Sequence, residues 1–381
     1  MYRRLQRPAE DQGGGVTTLF TVGLPHTQPS AEFLHCAYTT KTVRFPGMMK
    51  AQGFRTVLLS GDECDADVDE LVTIMPRKEQ EELLAEYDWY PANISAVDWN
   101  HNLPFWRVFN ERAIEALRER VKEGDWICLI SGRPYTPIIE AFPDQCVEFG
   151  IGYSGTAAPF RVFESYSWMH AVYGWQAGDP MMADGQFFDA VISNSFPVED
   201  FPPPNPDGVD NGRDPYYVFM SRMTWRKGYQ IAFDATANIG ATLKVAGVPG
   251  DEPLPDHVEH VGLVDAKQRG ELLSRAQAVF LPTIYVEPFG GVAAESLLCG
   301  TPVIATDWGA MPELIEQGVD GFRCRTLKEF EEAALSVDSL DRKAIRGRAQ
   351  ARFGLEPVGS RYADYFHRLG LLKSGGFYSR A

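Results

Sequence analysis

Short apolar runs alternate with stretches of helical spacing along the first half of the chain. The runs are rich in β-branched and aromatic residues, which favour strands, whereas the stretches repeat apolar positions every three or four residues. The predicted strands are 17–24, 56–60, 126–130, 146–151 and 190–193, and the predicted helices between them are 37–52 and 106–122. Because alternating strands and helices are typical of βαβ units, the pattern predicts a parallel sheet.

The alternation stops at a proline-rich segment and then begins again. Residues 196–215 contain six prolines among Gly, Asn and acidic residues, and proline cannot donate to a strand ladder. Beyond it, the predicted strands are 216–221, 242–246, 258–261, 278–281 and 302–306, and the predicted helices are 228–237, 266–275 and 291–299. The second half therefore repeats the organisation of the first.

Two such sheets predict an α/β protein with two Rossmann-like, doubly wound domains that face a central cleft. The 381 residues suffice for about two domains that each bury a core. The predicted boundaries are a first domain over 1–196, a linker over 197–215, a second domain over 216–355 and a C-terminal segment over 356–381.

Composition excludes several classes of protein. With 44% hydrophobic and 23% charged residues, the chain resembles an ordinary globular protein. No apolar stretch approaches the roughly 20 residues of a membrane-spanning helix, and the first twenty residues lack the apolar run of a secretory signal. The six cysteines form no C-x-x-C pair and no cluster with histidine, so we expect reduced thiols and a cytoplasmic protein.

Charge is unevenly distributed, with a net value of −16. Residues 41–60 carry four bases and no acid, residues 61–100 carry twelve acids and two bases, and residues 341–381 carry nine bases and three acids. Such asymmetry is typical of solvated faces, but two adjacent basic segments would also suit an anionic acceptor.

The segment YVEPFGGVAAESLLCG, residues 285–300, is the most informative one. It follows a predicted strand and places Gly290 and Gly291 at the start of a predicted helix, where backbone N–H groups and the helix dipole favour a diphosphate. Glu287 before the helix and Glu295 within it could accept hydrogen bonds from hydroxyls on either side of that diphosphate. A nucleotide sugar has this arrangement. The alternative is that Glu287 is a surface loop acid and Glu295 an exposed helix residue.

A second pair of candidates follows the strand 216–221. In SRMTWRKG, Arg222 and Lys227 lie in the loop at the carboxyl end of that strand, where open α/β sheets bind ligands. A guanidinium and an ammonium five residues apart could together neutralise a diphosphate, although a solvated loop is the alternative.

These motifs together resemble glycosyltransferase family 4, the retaining nucleotide-sugar transferases of GT-B fold. EPFGGVAAE matches its Glu-x7-Glu signature, SRMTWRKG matches its strand-end Arg and Lys, and the resemblance covers about residues 216–325. It implies that Arg222 and Lys227 hold the diphosphate of a UDP-, GDP- or ADP-linked sugar, without a metal. It further implies that residues 357–372 form a helix that returns to the first domain.

The resemblance also implies roles for other residues of the donor site. Glu287 would bind the transferred sugar and Glu295 the ribose hydroxyls. The remaining residues that the resemblance places in contact with the donor are Val264 beside the base and the backbone of Phe289, Gly290, Gly291 and Val292.

The first half departs from the family pattern. No histidine follows the predicted strand 146–151, and His170, with Glu164 nearby, is the candidate catalytic residue that could line the cleft, the alternative being a packed helix residue. Gly23 and His26 correspond by position to the glycine-rich acceptor-side loop of the family. Asp65-Ala-Asp67 looks like a metal-binding Asp-x-Asp motif, but it lacks a phosphate-binding context and is not assigned to a metal.

The resemblance predicts a retaining transferase in which the leaving phosphate helps to deprotonate the acceptor. The acceptor could be a glycan, another small molecule or, because FESYSWMHAVYG is similar to phage and bacterial transferases, a hydroxymethylated pyrimidine in DNA. A nucleotide-sugar epimerase, a phosphorylase and a non-catalytic sugar-nucleotide binder are the alternatives from other classes.

Overall fold

The computed structural model describes residues 16–204, 216–248, 250 and 253–373. Residues 205–215 of the predicted linker and 374–381 of the predicted C-terminal segment lie outside the described residues. The elements of the first half are β1 Thr18–Val22, α1 Ala37–Lys50, β2 Arg55–Ser60, β3 Glu70–Thr73, α2 Arg77–Leu84, α3 Pro104–Arg120, β4 Trp126–Leu129, α4 Thr136–Ala141, β5 Cys146–Ile151, β6 Phe160–Phe163, α5 Tyr166–Ala177 and β7 Ala190–Val191.

The second half contains a further series of strands and helices. They are β8 Tyr216–Met220, α6 Tyr229–Asn238, β9 Thr242–Ala246, β10 Val258–Gly262, α7 Ala266–Arg275, β11 Val279–Leu281, α8 Gly291–Leu298, β12 Val303–Thr306, α9 Met311–Leu314, β13 Gly321–Cys324, α10 Leu327–Ser336, α11 Arg342–Phe353 and α12 Leu355–Lys373. The strands and helices predicted from the apolar pattern are confirmed, with ends that shift by a few residues.

The strands form two sheets. The first has seven strands in the order β3-β2-β1-β4-β5-β6-β7, and the second has six in the order β10-β9-β8-β11-β12-β13. All pairs of neighbouring strands in the second sheet are parallel. The second order is the Rossmann arrangement, and the prediction of two Rossmann-like sheets is confirmed.

The chain divides into two compact units, and the division falls within the first sheet. The first unit runs to Glu148 and includes Gly155–Phe160, while the second includes Phe149–Ser154 and continues from Arg161. The domain boundaries predicted from the proline-rich segment stay a prediction.

Alternate residues of the second sheet pack on its two faces. Val218 and Met220 of β8 pack in the same core as α8 and α11, whereas Tyr217 and Phe219 pack in the core of α6 and α10. Because helices cover both faces, β8 is buried along its whole length, which is why it reads as a continuous apolar run.

Three arginines of α11 anchor the ends of other helices. Arg342 donates to the carbonyls of Ser274 and Ala276 at the end of α7, at 2.8 and 2.7 Å. Arg346 donates to Leu298 at the end of α8, and Arg352 donates to Leu314 at the end of α9. These cations compensate carbonyls at the negative ends of helix dipoles, so much of the basic character of 341–381 serves the fold.

Candidate functional site

The two candidate segments follow neighbouring strands. β8 leads into Arg222–Gly228 and β11 leads into Thr283–Gly291, and the two strands pair through Val218 with Val279 and Phe219 with Phe280. The strand order reverses direction between β8 and β11, and ligands of open α/β sheets bind at the carboxyl ends of strands at such a point. The topology therefore brings the segments together.

Gly228 allows the two segments to approach each other closely. It has a φ of +73°, and a Cβ atom built on it would lie 2.0 Å from the carbonyl oxygen of Pro282. The backbone of Ile284 also donates to the carbonyl of Arg226 at 2.8 Å. A side chain at Gly228 would force the loops apart, so this glycine sets the position of Lys227 relative to Glu287.

Lys227, Tyr285 and Glu287 form one hydrogen-bonded cluster. Lys227 Nζ lies 3.0 Å from Glu287 Oε2, and the side chains of Lys227 and Glu287 are 24% and 14% exposed. The Tyr285 hydroxyl accepts a hydrogen bond from Lys227 Nζ and donates one to Glu287 Oε2. Glu287 is thus a half-buried, paired carboxylate, and the alternative of a surface loop acid is wrong.

The pKa of Tyr285 is raised well above its usual range. Burial is the main cause, and the neighbouring charge of Glu287 adds to it, while the cations Arg226 and Arg222 act in the opposite direction. The phenol therefore keeps its proton at neutral pH and can act as a hydrogen-bond donor to the carboxylate.

A small open cavity adjoins the cluster at the start of α8. Its volume is about 70 Å³, and it is lined by Lys227, Glu287, Gly290, Gly291 and Val292, together with residues of β8, β11 and α9. That volume holds a few waters or part of a ligand, and drug-sized ligands fill several hundred Å³. Five of the predicted donor-site residues thus line one cavity, whereas Arg222, Val264 and Glu295 are not part of its lining.

At the start of this helix, the absence of a side chain on Gly290 leaves room for the side chain of Met311. The φ of Gly290 is +85°, and a Cβ atom there would lie 2.5 Å from Cε of Met311. α8 begins at the next residue, so its first N–H groups lie at the positive end of an eight-residue helix dipole.

Glu295 is buried rather than exposed. The residue is 8% exposed, and its Oε1 lies 3.4 Å from Nη2 of Arg269 on α7. The alternative of an exposed helix residue is wrong. The sequence does not indicate Arg269, because nothing in the spacing shows that α7 packs beside α8.

A known family matches part of the second half of the chain. The profile of the family described as glycosyl transferases group 1 matches residues 214–338. Alpha-maltose-1-phosphate synthase of Mycobacterium tuberculosis is 28% identical over 158 residues, and glycogen synthase of the same organism is 29% identical over 173 residues. These matches cover 34% and 38% of this chain and 40% and 41% of the two relatives. Residues 214–338 are therefore similar to the glycosyl transferases group 1 family.

Solved structures match nearly the whole chain at low identity. AviGT4, a glycosyltransferase involved in avilamycin A biosynthesis, is 16% identical with a TM-score of 0.65, covering 93% of this chain and 98% of its own. Anabaena HepE, solved with UDP and glucose, is 16% identical with a TM-score of 0.60, covering 92% and 100%. The chain has the GT-B fold, as the resemblance predicted. It spans about two fifths of the length of the curated relatives it matches.

The other candidates of the second half, Arg222, Val264 and Phe289, differ in their burial and in their contacts. Arg222 is exposed, and its charge acts on Tyr285. Val264 is partly buried and packs against the core of the second sheet. The ring of Phe289 is 2% exposed and stacks on Phe196 at 6.3 Å, so only its backbone could contact a ligand.

His170 lies on the exposed face of α5, so the alternative of a packed helix residue is wrong. Its ring lies 6.3 Å from the rings of both Tyr166 and Tyr173. The beginning of α5 contacts the loop that carries Glu287, because Ser165 Oγ donates to the carbonyl of Pro288 at 2.6 Å. A catalytic role for His170 stays a prediction.

Gly23 and His26 belong to the first compact unit. Gly23 follows β1, and a Cβ atom on it would lie 2.3 Å from Oγ of Ser60, so the position requires glycine. His26 is 2% exposed and packs edge-on against Trp99 at 5.0 Å. It is a buried side chain rather than a plain loop residue.

The acidic Asp-x-Asp segment has structural partners. Asp65 accepts the backbone N–H of Ala31 at 2.7 Å, and Asp67 pairs with Lys50 at 2.7 Å. Across the described residues, no group of three or more His, Cys, Asp and Glu side chains is placed to hold a metal ion. Within the same residues, no helix combines the length and the apolar character needed to cross a bilayer.

Proposed function

We propose that this chain transfers a sugar from a nucleotide-diphosphate sugar to an acceptor hydroxyl with retention of anomeric configuration. The observation that carries the proposal is the pairing of Lys227 with Glu287 at 3.0 Å beside the cavity at the start of α8. This pair offers a cation to the diphosphate and a carboxylate to a sugar hydroxyl. It lies at the carboxyl ends of β8 and β11, where open α/β sheets bind ligands.

The cationic groups would act on the negative charge that develops on the diphosphate during sugar transfer. When the glycosidic C–O bond breaks, negative charge grows on the phosphate oxygens while the sugar becomes oxocarbenium-like. Lys227, Arg222 and the first N–H groups of α8 would stabilise the leaving diphosphate. The acceptor oxygen then bonds to the anomeric carbon on the same face, and its proton passes to a phosphate oxygen.

The carboxylates would bind hydroxyls on either side of the diphosphate. Glu287 would accept hydrogen bonds from the transferred sugar. Glu295 would bind the ribose, with Arg269 as the partner that holds it in place. The neighbour HepE was solved with UDP-glucose, so UDP-sugars are the first donors to test, followed by GDP- and ADP-sugars.

The acceptor is proposed to be a glycan or another small molecule. His170, exposed on a helix whose first turn contacts the Glu287 loop, is the proposed acceptor-side residue. Metal independence and a cytoplasmic location stay predictions from the sequence.

The test is nucleotide release in the presence of a donor panel and an acceptor panel, with the product's anomeric configuration read by NMR. Lys227→Ala should lower turnover by at least 100-fold because it removes a cation from the developing phosphate charge. Lys328→Ala is the matched control, since Lys328 is 81% exposed on α10. Near-normal turnover in Lys227→Ala, or nucleotide release that needs no acceptor, would contradict the proposal.

A further inference from the structure

Tyr285 lies between the two residues to which donor binding is assigned, although no motif points to it. Its hydroxyl accepts from Lys227 Nζ and donates to Glu287 Oε2, and those two atoms are themselves 3.0 Å apart. The phenol is the one group in this cluster that contacts both charges while carrying none. Its O–H gives the three side chains one consistent direction of hydrogen bonding, from ammonium to phenol to carboxylate.

This arrangement leaves one hydrogen-bond donor and one acceptor of the cluster available for a ligand. A lysine ammonium has three N–H groups, of which Lys227 directs one at Tyr285 and one at Glu287. One N–H then remains for a ligand. Within the described residues, Oε1 of Glu287 has no hydrogen bond, so one carboxylate oxygen also remains. Together these groups offer a phosphate one donor and a sugar hydroxyl one acceptor.

The ring of Tyr285 is itself in contact with a cation. Arg226 lies 5.1 Å from the ring centroid, within the range of cation–π attraction. The backbone next to it is fixed as well, because Ile284 N–H donates to the carbonyl of Arg226. These contacts therefore hold the Tyr285 ring, and with it the hydroxyl, in a defined position.

We propose that Tyr285 is a positioning residue for sugar transfer, whose hydroxyl orients Lys227 and Glu287 so that the remaining N–H and carboxylate oxygen face the donor. This inference rests on the proposed function. Without the hydroxyl, the ammonium and the carboxylate can rotate into a closer mutual pair, which withdraws both from the cavity. Misplacement of a charged group affects the transition state, where the charge is largest, more than it affects the bound donor.

The first experiment compares Tyr285→Phe with Tyr217→Phe. Tyr217 is the matched control because its hydroxyl donates to the carbonyl of Ala334 at 2.8 Å in the core of α6 and α10, and Tyr217 does not line the cavity. Tyr285→Phe should lower kcat about tenfold and change the donor KM less than threefold, while Tyr217→Phe leaves both unchanged. Equal kcat in Tyr285→Phe and the unmodified protein, or an equal loss in both variants, would overturn the inference.

A second experiment needs neither donor nor turnover. The side-chain ¹⁵N–¹H signal of Lys227, assigned by its disappearance in Lys227→Ala, should be observable in the donor-free protein and be broadened or shifted in Tyr285→Phe. An unchanged signal would overturn the positioning role. If the unmodified protein releases no nucleotide from any donor, the proposed function fails, whereas the NMR comparison still decides whether Tyr285 orients Lys227.

Discussion

Both carboxylates of the Glu-x7-Glu pattern have a cationic partner, and in each case the partner comes from another element. Glu287 is paired with Lys227, sixty residues earlier, and Glu295 with Arg269 on α7. Taking a carboxylate out of water is costly unless it is paired, so the pairing explains how Glu287 can be half-buried beside the cavity and Glu295 buried on α8. Residue types and spacing predicted the acids, but the pairing depends on tertiary packing.

His26 lies in the loop after β1, but its side chain is buried. It is 2% exposed, packs against Trp99 and Trp106, and has a buried Nδ1 for which the described residues provide no hydrogen bond. Burial lowers its pKa from 6.5 to about 4. The neutral ring is therefore the form that the folded protein accommodates.

This shift makes stability depend on pH. Between pH 6.5 and 4 the unfolded chain binds a proton at His26 that the folded protein does not, so the free energy of unfolding falls as pH falls through this window. Between pH 7 and 5 the loss due to His26 should be about 2 kcal/mol. His26→Phe should remove that part of the pH dependence, as measured by urea unfolding at each pH.

The matched control for this measurement is His35→Gln, because His35 is exposed. That variant should keep the pH dependence of the unmodified protein. A His26→Phe variant with the same pH dependence as His35→Gln would show that His26 is not held in its neutral form.

At the scale of elements, strands buried on both faces and amphipathic helices were more predictable from the sequence than a half-exposed edge strand or helices rich in charged residues. β9 and α7 have the bounds that the apolar pattern predicted, because parallel strands buried on both faces and amphipathic helices leave clear periodicities. β3 was missed, since it is a half-exposed edge strand without an apolar run. α2 and α11 were missed because α2 consists mostly of charged residues and basic residues interrupt the apolar positions of α11.

The part of the candidate site that could be predicted is the part whose residues are neighbours in sequence, because their positions follow from local structure. Gly290, Gly291 and Glu287 lie on one loop, and a strand–loop–helix unit places such residues at the helix start. Tyr285 and Arg269 were not predictable, because their roles come from contacts with Lys227 and Glu295 across the fold. His170 also needed the structure, since the aromatic composition of its segment suggested burial.

α5 is the element outside the second sheet with the clearest link to the donor loop. Ser165 caps it by accepting from Trp168 N–H at 3.1 Å while donating to the carbonyl of Pro288. Glu313 of α9 accepts the N–H groups of Tyr166 and Ser167 at 2.9 and 2.8 Å. The cap therefore joins a helix start to the residue that follows Glu287.

Ser165→Ala should have two effects that can be separated. Losing an N-cap should lower the free energy of unfolding by about 1 kcal/mol, and losing the bond to Pro288 should raise the donor KM severalfold because the Glu287 loop is less well held. Thr326→Ala is the control, since Thr326 caps α10 in the same way. We expect a similar loss of stability there, measured by thermal unfolding, without a change in KM. Equal donor KM values in the two variants would contradict the link between α5 and donor binding.

At the scale of the whole molecule, the basic segments are largely committed to the protein itself. In 341–381, Arg342, Arg346 and Arg352 donate to carbonyls at helix ends, and Arg348 pairs with Asp320 at 2.9 Å. In 41–60, bases also pair with acids, as Lys50 does with Asp67. A phosphate track requires cations that are available to neutralise DNA phosphates and so release the counterions condensed on the DNA, and the net charge of −16 opposes the approach of a polyanion.

We therefore predict that DNA is not the acceptor. A duplex of roughly 30 base pairs containing 5-hydroxymethylcytosine should not be shifted in an electrophoretic assay at about 50 mM salt, where phosphate contacts are strongest. The same protein sample should be stabilised by its preferred nucleotide sugar in a thermal-shift assay, which shows that it is folded and binds donor. An electrophoretic shift of the duplex that weakens steeply with salt would show that basic side chains leave their partners in the protein to bind DNA. If the hydroxymethyl group is also labelled with sugar, the acceptor is a nucleic acid and the prediction is wrong.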